Sequence, residues 1–402
     1  MTPVTRDRPK FTGGQRAMVL AIVAAVLGLG LTAVRGLLGD DGEKVALFSY
    51  VVAFAYWLGL TLGALVLLMI FHASKGRWMV VLRRVIEVMA ASVAIFPLLF
   101  VPLALFMKQL FPWAGPTEGL SEEAIHLIHH RAPYLNPTFF LVRAAIYFLV
   151  WITFSRLFLS WSTRQDESGA PALTQKAWSL GAGGLPVVGI TLTFAAIDWL
   201  MSLGTMWFSS MWGIYYFAGS FVGCLALLIN ILVFLDRSPA LEGVLKTAHW
   251  LSLGKFLLAF TCFWAYIAFS QYMLVWVANL PDTIPWLLER QQHGWKWVGI
   301  GLILGHFAVP FAVLLSRAVK KNPVWLATVG LWILFIHYVD LYWVVMPQVR
   351  PGQPLLDWSN VTAWVGVGGA AVAFGIYLMR GRYALPVRDP FLDDSLTYSR
   401  ML

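Results

Sequence analysis

The chain has 402 residues, of which 59% are hydrophobic and only 12% are charged, and it carries a net charge of +9 at pH 7. This composition excludes an ordinary soluble domain and a disordered chain, because both expose far more polar surface. The positive charge would suit a nucleic-acid-binding protein, but it lies between long apolar runs and so predicts membrane orientation and no nucleic-acid partner. The sequence therefore predicts an all-α polytopic membrane protein in a lipid bilayer.

A helix needs about 20 mostly apolar residues to cross a bilayer, and ten runs meet this requirement. We expect no cleavable signal peptide before the first run, because the leading residues are polar and basic. The ten predicted transmembrane helices are residues 17–38, 45–71, 85–107, 137–161, 180–203, 211–235, 250–278, 297–316, 324–346 and 360–379.

Lysine and arginine concentrate in alternate connections, which predicts how the helices are oriented. About two thirds of the 29 basic residues lie in the N-terminal tail, the even-numbered connections and the C-terminal tail 380–402, and far fewer lie in the other connections. The latter are acidic or neutral, as in residues 40–43, where Asp40, Asp41 and Glu43 cluster. Basic loops stay in the cytoplasm, so both termini are expected there.

A shift of 160 residues lays the second and third runs on the sixth and seventh without a gap. Tyr56 then falls on Tyr216, Gly59 on Gly219 and Gly63 on Gly223. Paired glycines let helix backbones approach closely, and four intervening spans give both copies the same direction. The pattern predicts a single domain, 1–402, with two parallel-repeat four-helix bundles at 45–203 and 211–346 (spans 2–5 and 6–9), plus peripheral spans 1 and 10 at 17–38 and 360–379.

The long connection after the third run contains three histidines, and the sequence leaves two interpretations of it open. His126 and His129 are three residues apart, as metal ligands on one helix face are. No cysteine or carboxylate stands at a convincing ligand spacing, which favours a loop that contacts a partner and predicts no metal. A haem would need histidine pairs on two facing helices. His293 and His306 are thirteen residues apart, but His293 precedes the eighth run and no second run carries a matching pair, which argues against a haem.

Several ionisable residues lie inside the apolar runs, where they are costly and therefore candidates for function. Asp198, His337 and Asp340 are predicted near the outer face, and the spacing of three puts His337 and Asp340 on one helix face. Arg143 lies at a similar depth and is the expected counter-ion for either acid. A buried carboxyl group beside a histidine suits proton transfer, because both can exchange protons near neutral pH.

Four further residues extend this prediction toward the inner face. His72, Glu87 and Lys255 form the inner half of a hypothetical proton path, and His306 in mid-span bridges to the outer half. Each also has a structural interpretation: Glu87 can pair with Arg83 four residues before it, and Lys255 can extend to the interface. If the path operates, replacing either Asp198 or Asp340 with asparagine should reduce charge translocation while assembly survives.

Five stretches carry a resemblance to a known family: residues 134–151, 196–213, 279–290, 305–317 and 339–347. They resemble the NrfD/PsrC-like integral membrane subunits, and within that family the ActF-type subunits of bacterial alternative complex III. The similarity covers nearly the whole chain from the second run onward.

The resemblance implies a cofactor-free, non-redox subunit of a quinol:electron acceptor oxidoreductase in a bacterial inner membrane. The subunit itself is expected to conduct protons. The implied partners are a related NrfD-like membrane subunit, multihaem and monohaem cytochrome c subunits, an iron–sulfur/molybdopterin-like subunit, small membrane-anchor subunits and a terminal oxidase. Haem c and iron–sulfur clusters belong to those partners, and menaquinol or ubiquinol is expected nearby. Two alternatives remain: a secondary transporter with parallel repeats, and a purely structural membrane anchor of the complex.

Overall fold

The computed structural model describes residues 10–39, 41–281 and 283–399, and these form helices and loops without a strand. The predicted tail residues 1–9 and 400–402, Asp40 of the acidic connection, and Asp282 within the 279–290 stretch lie outside the described residues. Ten helices in the described part are long and apolar enough to cross a membrane, which confirms a multi-pass helical architecture. Spans 1 to 10 are, in order, Gln15–Gly36, Gly42–Ala73, Arg77–Leu105, Pro137–Ser168, Pro171–Leu203, Trp212–Asp236, Thr247–Ala278, Trp295–Leu315, Pro323–Gln348 and Trp358–Met379.

Several helices extend beyond the predicted apolar runs. Span 3 begins at Arg77 rather than at residue 85, because Arg83 and Arg84 are neutralised by buried carboxylates. Span 4 continues beyond its apolar residues to Ser168, and span 5 begins at Pro171, before its own apolar residues. Gly169, in the left-handed conformation (φ 64°), ends span 4 and leaves only a short turn between the two helices.

Local signals fix the helix ends. Span 4 begins with Pro137 after Asn136, whose side-chain oxygen accepts a hydrogen bond from the Phe139 N–H at 2.9 Å. Asp357 caps span 10 in the same way. In the described residues, five short helices lie between or after the spans: Met107–Leu110, Glu122–Arg131, Ile284–Gln291, Arg317–Lys321 and Leu392–Leu396.

Span 2 is the centre of the molecule, with 94% of its apolar window buried. It contacts spans 1, 3, 5, 6, 9 and 10, and span 6 adds contacts with spans 5, 7 and 9. The predicted glycines lie at these contacts: a Cβ on Gly63 would come within 2.8 Å of the Cys224 Cβ on span 6. The division into two repeated bundles stays a prediction.

Spans 1 and 10 pack closely against each other at the edge of the helix assembly. Gly28 and Gly366 face each other, and a Cβ on Gly28 would come within 2.6 Å of the Gly366 nitrogen. Only 17% of the apolar window of span 1 is buried, so most of this helix faces outward. Small residues at a helix contact allow this approach without a hydrophobic driving force.

The described end of the C-terminal tail folds back onto the helix ends and does not extend freely. The Ser395 hydroxyl donates to the Trp78 carbonyl at 2.7 Å, and the His249 ring nitrogen Nε2 lies 3.1 Å from the Ser395 carbonyl. We call the side of the molecule with this segment the terminal side, and the other the opposite side.

Candidate functional site

Seven of the eight residues predicted from the sequence are buried, with at most 6% of each exposed: His72, Glu87, Arg143, Asp198, His306, His337 and Asp340. Lys255 is the exception, since its side chain is exposed on span 7. The buried residues fall into three groups rather than one continuous row.

Arg143 and Asp198 form the first group, between spans 4 and 5 on the opposite side. The guanidinium donates two parallel hydrogen bonds, from Nε to Asp198 Oδ2 at 2.8 Å and from Nη2 to Oδ1 at 2.9 Å. The Tyr147 hydroxyl donates a third hydrogen bond to Asp198 Oδ2 at 2.9 Å. Bidentate, charge-assisted pairing of this kind is among the strongest hydrogen-bond arrangements available to a carboxylate.

The remaining donors and the π-faces around Arg143 are also engaged. Its Nη1 donates to the Tyr134 carbonyl at 2.6 Å, and its guanidinium lies 3.8 Å from the Tyr134 ring centroid and 4.5 Å from that of Phe139. Burial and the nearby charge of Asp198 raise the pKa of Tyr134, so this ring stays neutral beside the pair. The group is therefore a closed ion pair within the helix packing.

Asp340 and two histidines form the second group, between spans 6, 7, 8 and 9. The carboxyl group of Asp340 accepts hydrogen bonds from the Tyr215 hydroxyl and, at 3.2 Å, from the Trp264 indole N–H. The His306 ring lies on Trp264 with centroids 3.8 Å apart, and the His337 ring is 6.0 Å from His306. Among the described residues, no nitrogen of either histidine ring has a hydrogen-bond partner.

A local change of helix type places His306. Span 8 is α-helical over Trp295–Leu302 and Val309–Leu315, but Ile303–Ala308 between them is a π-helix. A π-helical turn widens the helix and disturbs its hydrogen-bond ladder, and such turns recur at functional sites. The Trp332 indole N–H donates to the Gly305 carbonyl at 2.7 Å and so gives this segment a side-chain partner.

The two outer-face acids of the sequence prediction thus differ in their partners. Asp198 is paired with an arginine, whereas neutral donors hold Asp340, and no ion pair joins Asp340 to a basic residue in the described chain. The sequence offered Arg143 as counter-ion for either acid, and the structure assigns it to Asp198. A dry carboxyl group held by neutral donors can exchange its proton far more easily than one held by a guanidinium.

Glu87 belongs to a third group, a charge network on the terminal side. Arg83 Nε lies 3.0 Å from Glu87 Oε1, and Arg84 Nε lies 3.6 Å from Oε2. Arg83 also pairs with Asp389 of the C-terminal tail, and Arg84 Nη2 donates to Asp166 Oδ2 at 2.5 Å. Two arginines face three carboxylates here, so Glu87 belongs to a network of buried ion pairs and does not stand alone in the helix packing.

His72 lies beside this network. Its ring is parallel to Phe158 with centroids 5.1 Å apart, and it lines a small cavity together with Arg83 and Asp389. The Nδ1 atom of His72 has no hydrogen-bond partner among the described residues. The structure brings His72 and Glu87 to the same region but does not bring Lys255 there.

The terminal-side network and the histidine group are separate. In residues 10–39, 41–281 and 283–399, no hydrogen bond, ion pair or ring contact directly joins His72 or Glu87 to His306, His337 or Asp340. A proton that crosses the molecule would need water between these groups.

Sequence reasoning missed several partners of these groups. Tyr215 and Trp264 contact Asp340 directly, and Asp389 pairs with Arg83, the expected partner of Glu87. No spacing rule links positions so far apart in the chain. Arg290 was also missed: it is 1% exposed and donates to the carbonyls of Trp343 and Val344 at the end of span 9. Burial lowers the pKa of Arg290, and its position in the short helix Ile284–Gln291 gave no signal of this capping role.

The histidines of the long connection lie on the helix Glu122–Arg131. The rings of His126 and His130 are parallel with centroids 6.5 Å apart. No group of three or more metal-ligating side chains occurs in the part of the chain that the structure describes.

Comparison with known proteins gives no independent identification of the chain. No protein-family model matches the sequence, and no curated protein matches it.

Proposed function

We propose that this chain is a cofactor-free membrane subunit of a quinol:electron acceptor oxidoreductase of the alternative complex III type, and that it conducts protons. The five stretches that resemble the ActF-type subunits support the assignment to this complex. In this proposal the haem c and iron–sulfur centres belong to partner subunits, and quinol is oxidised next to this chain.

The observation that carries the proton-transfer proposal is the environment of Asp340. Its carboxyl group is 1% exposed, accepts hydrogen bonds from Tyr215 and Trp264, and shares a helix face with His337. His306 extends this group toward the middle of the membrane. A carboxyl group and two imidazoles without a permanent counter-ion are the chemistry that a proton relay requires.

The other buried acids have a structural role in this proposal. Asp198 and Glu87 are paired with arginines at 2.8 and 3.0 Å, and a pair of this kind holds its charges in place. They hold spans 4 and 5 together and fix the terminal end of span 3. The proton path then runs from the His72 region to His306, His337 and Asp340 through internal water.

The decisive variant is Asp340→Asn, which keeps the size of the side chain and removes its exchangeable acid proton. We expect the purified complex in proteoliposomes to retain most of its quinol oxidation and to move fewer protons per electron. Asp394→Asn is the matched control, because Asp394 is a half-exposed acid on the terminal side that pairs with Arg77. An unchanged proton-to-electron ratio in the Asp340→Asn complex would leave the chain as a structural anchor.

Purification tests the assignment to a complex separately. An affinity-tagged chain should be isolated with haem c-containing subunits, which are visible in the absorption spectrum. A secondary transporter would be isolated alone. The transporter alternative also needs helix breaks at corresponding places in the two halves. In the predicted repeat span 4 corresponds to span 8, but span 4 is one continuous helix and span 8 contains the π-helical segment.

In the proposed orientation the terminal side faces the cytoplasm of a bacterial cell. The two tails and the even-numbered connections belong to this side, and they carry most of the basic residues. Single cysteines introduced at Lys176 and at Glu118 test this in a variant without Cys224 and Cys262. A membrane-impermeant thiol reagent applied to intact spheroplasts should label position 118 and leave position 176 unlabelled. The reverse labelling would overturn the orientation.

A further inference from the structure

Three basic residues gather at the terminal ends of spans 7 and 8, outside the groups described above. Lys255 lies eight residues into span 7, which places it about 12 Å along the helix from Thr247. Arg317 and Lys320 lie on the short helix Arg317–Lys321, which packs against span 7. The side chain of an exposed lysine at this depth extends toward the helix end, where an anionic group can reach it.

Lys320 is built into the surface between the helices. Its aliphatic stem packs on Gly254, where an added Cβ would come within 2.6 Å of the Lys320 Cγ and 2.9 Å of its Cβ. Its ammonium group donates to the Leu315 carbonyl at 3.4 Å. Because Gly254 has no side chain, the aliphatic part of Lys320 can lie against it. This contact brings the charge of Lys320 near that of Lys255, the residue that follows Gly254.

These charges repel one another and are not balanced by an acid. Burial lowers the pKa of Lys320, and the positive charges of Lys255 and Arg317 lower it further. No salt bridge in the described chain involves any of the three residues. Three neighbouring cations without a counter-ion favour an anion from outside the chain.

The surface next to the cluster is apolar and follows the axis of span 7. Tyr266, Phe269 and Met273 lie on the same helix face as Lys255, by the helical repeat, and are 65%, 61% and 42% exposed. Trp325, which follows the short helix at the start of span 9, is also exposed. The cations therefore stand at one end of a long apolar strip that faces outward.

We propose that Lys255, Arg317 and Lys320 bind the phosphate headgroup of an anionic phospholipid whose acyl chains lie along span 7. A headgroup with net negative charge neutralises the cluster, and basic pockets between helix ends are known sites for such lipids. The apolar strip below the cations fits an amphiphile better than an acidic protein loop, which would leave Tyr266 and Phe269 uncovered. The proposal does not depend on the respiratory function proposed above.

Native mass spectrometry of the purified detergent-solubilised protein, with any subunits that stay attached, tests this site. Cardiolipin, phosphatidylglycerol and phosphatidylcholine are added separately to the wild type and to Lys255→Gln, Lys320→Met and the double variant. We expect cardiolipin and phosphatidylglycerol to bind the wild type more tightly than phosphatidylcholine. Each substitution should weaken anionic-lipid binding about fivefold, from about 1 kcal/mol per basic residue near a charged headgroup. Lys176→Gln, an exposed lysine elsewhere on the terminal side, should bind as the wild type does.

Several results would overturn the proposal. The proposal fails if Lys255→Gln binds the anionic lipids as tightly as the wild type does. It also fails if Lys255→Gln and Lys176→Gln lose the same amount of anionic-lipid affinity. Displacement of cardiolipin by millimolar inorganic phosphate would identify a soluble-anion site instead. An acidic partner subunit retained by the wild type but lost from Lys255→Gln, with lipid binding unchanged, would assign the cluster to that protein. Because Lys255 is exposed, its variant should keep the wild-type melting temperature even if Lys320→Met does not.

Discussion

The imidazole of His306 lies on the indole of Trp264 with ring centroids 3.8 Å apart, and the same indole donates its N–H to Asp340. One aromatic side chain on span 7 therefore contacts a histidine of span 8 and an acid of span 9. The hydrogen bond orients Asp340 while the π-face supports the His306 ring. This relationship sets the distance between the two titratable groups without an ion pair.

Loss of the Asp198 charge should destabilise the protein. In Asp198→Asn the guanidinium of Arg143 stays buried without its anion, and removing one partner of a buried pair costs about 3–5 kcal/mol. We expect a clearly lower melting temperature in detergent, whereas Asp340→Asn should lower it much less. This revises the expectation from sequence alone, which treated the two acids alike.

The double variant Arg143→Met/Asp198→Asn provides the control for this prediction. Removing both charges avoids the unpaired cation, so the double variant should be more stable than Asp198→Asn alone. If the single and double variants melt at the same temperature, the pair does not stabilise spans 4 and 5 through its charges.

Gly219→Ala should disturb the histidine group without removing a titratable side chain. The new Cβ would come within 2.9 Å of His337 Cε1 and 3.5 Å of Asp340 Oδ2, so the imidazole must move. We expect a loss of about 1–3 kcal/mol, typical of overpacking, together with fewer protons moved per electron. Gly189→Ala on span 5 is the control, because its Cβ would meet no atom within 4 Å. Identical behaviour of the two variants would contradict a packed contact between spans 6 and 9.

Gly28→Ala should separate spans 1 and 10. Its Cβ would come within 2.6 Å of both the Gly366 nitrogen and the Thr362 carbonyl oxygen, and backbone atoms cannot rotate away. Hydrogen exchange measured by mass spectrometry should show faster exchange in span 1 of this variant. Gly30→Ala, two residues further along the same helix, meets no atom within 4 Å and should exchange as the wild type does. Equal exchange in both variants would mean that this contact does not hold span 1.

The connection between the ends of spans 1 and 10 should weaken in acid. Burial alone would raise the pKa of Asp357, but hydrogen bonds from Ser359 and the contact with Arg35 outweigh it and lower this pKa. A carboxyl group with a lowered pKa in the folded state contributes stability that is complete above its unfolded value, near pH 4, and is lost as the pH falls through the folded value. Hydrogen exchange at the start of span 10 should therefore accelerate below about pH 4, relative to the intrinsic exchange rate.

Asp357→Asn is the control for the acid effect. The amide keeps an oxygen that can accept from Ser359 but has no charge for Arg35, so its exchange should be faster at neutral pH and should depend less on pH. A wild-type acid response in Asp357→Asn would assign the effect to another group.

The ten membrane-spanning helices could be predicted because the length of an apolar run can be read directly from consecutive residues of the sequence. All ten spans follow from runs of apolar residues, and the paired glycines Gly59/Gly219 and Gly63/Gly223 indicate close helix contacts. The start of span 3 could not be predicted, because Arg83 and Arg84 read as the end of a polar loop. Besides Glu87 on the same helix, the carboxylates of Asp166 and Asp389 allow those arginines to be buried, and these two come from distant parts of the chain.

The burial of the candidate residues was predictable from the sequence, but the way they are grouped was not. An acid or histidine in an apolar run is visible in the sequence, and seven of the eight chosen side chains are indeed buried. Which acid receives the arginine depends on the relative rotation of spans 4, 5 and 9, which no single run encodes. The π-helical turn at Ile303–Ala308 is equally invisible, because its residues would fit an ordinary α-helix.

Asp389 meets Arg83 although 306 residues separate them in the chain. During synthesis, span 3 therefore enters the membrane long before the tail carboxylate that will neutralise it has been translated. In the proposed orientation, the early intermediate would carry excess positive charge at this helix end, and such charge favours retention on the cytoplasmic side. The final ion pair then forms only once all ten helices have been inserted, so a bulky fusion close behind Asp389 would obstruct the last step of folding rather than the first.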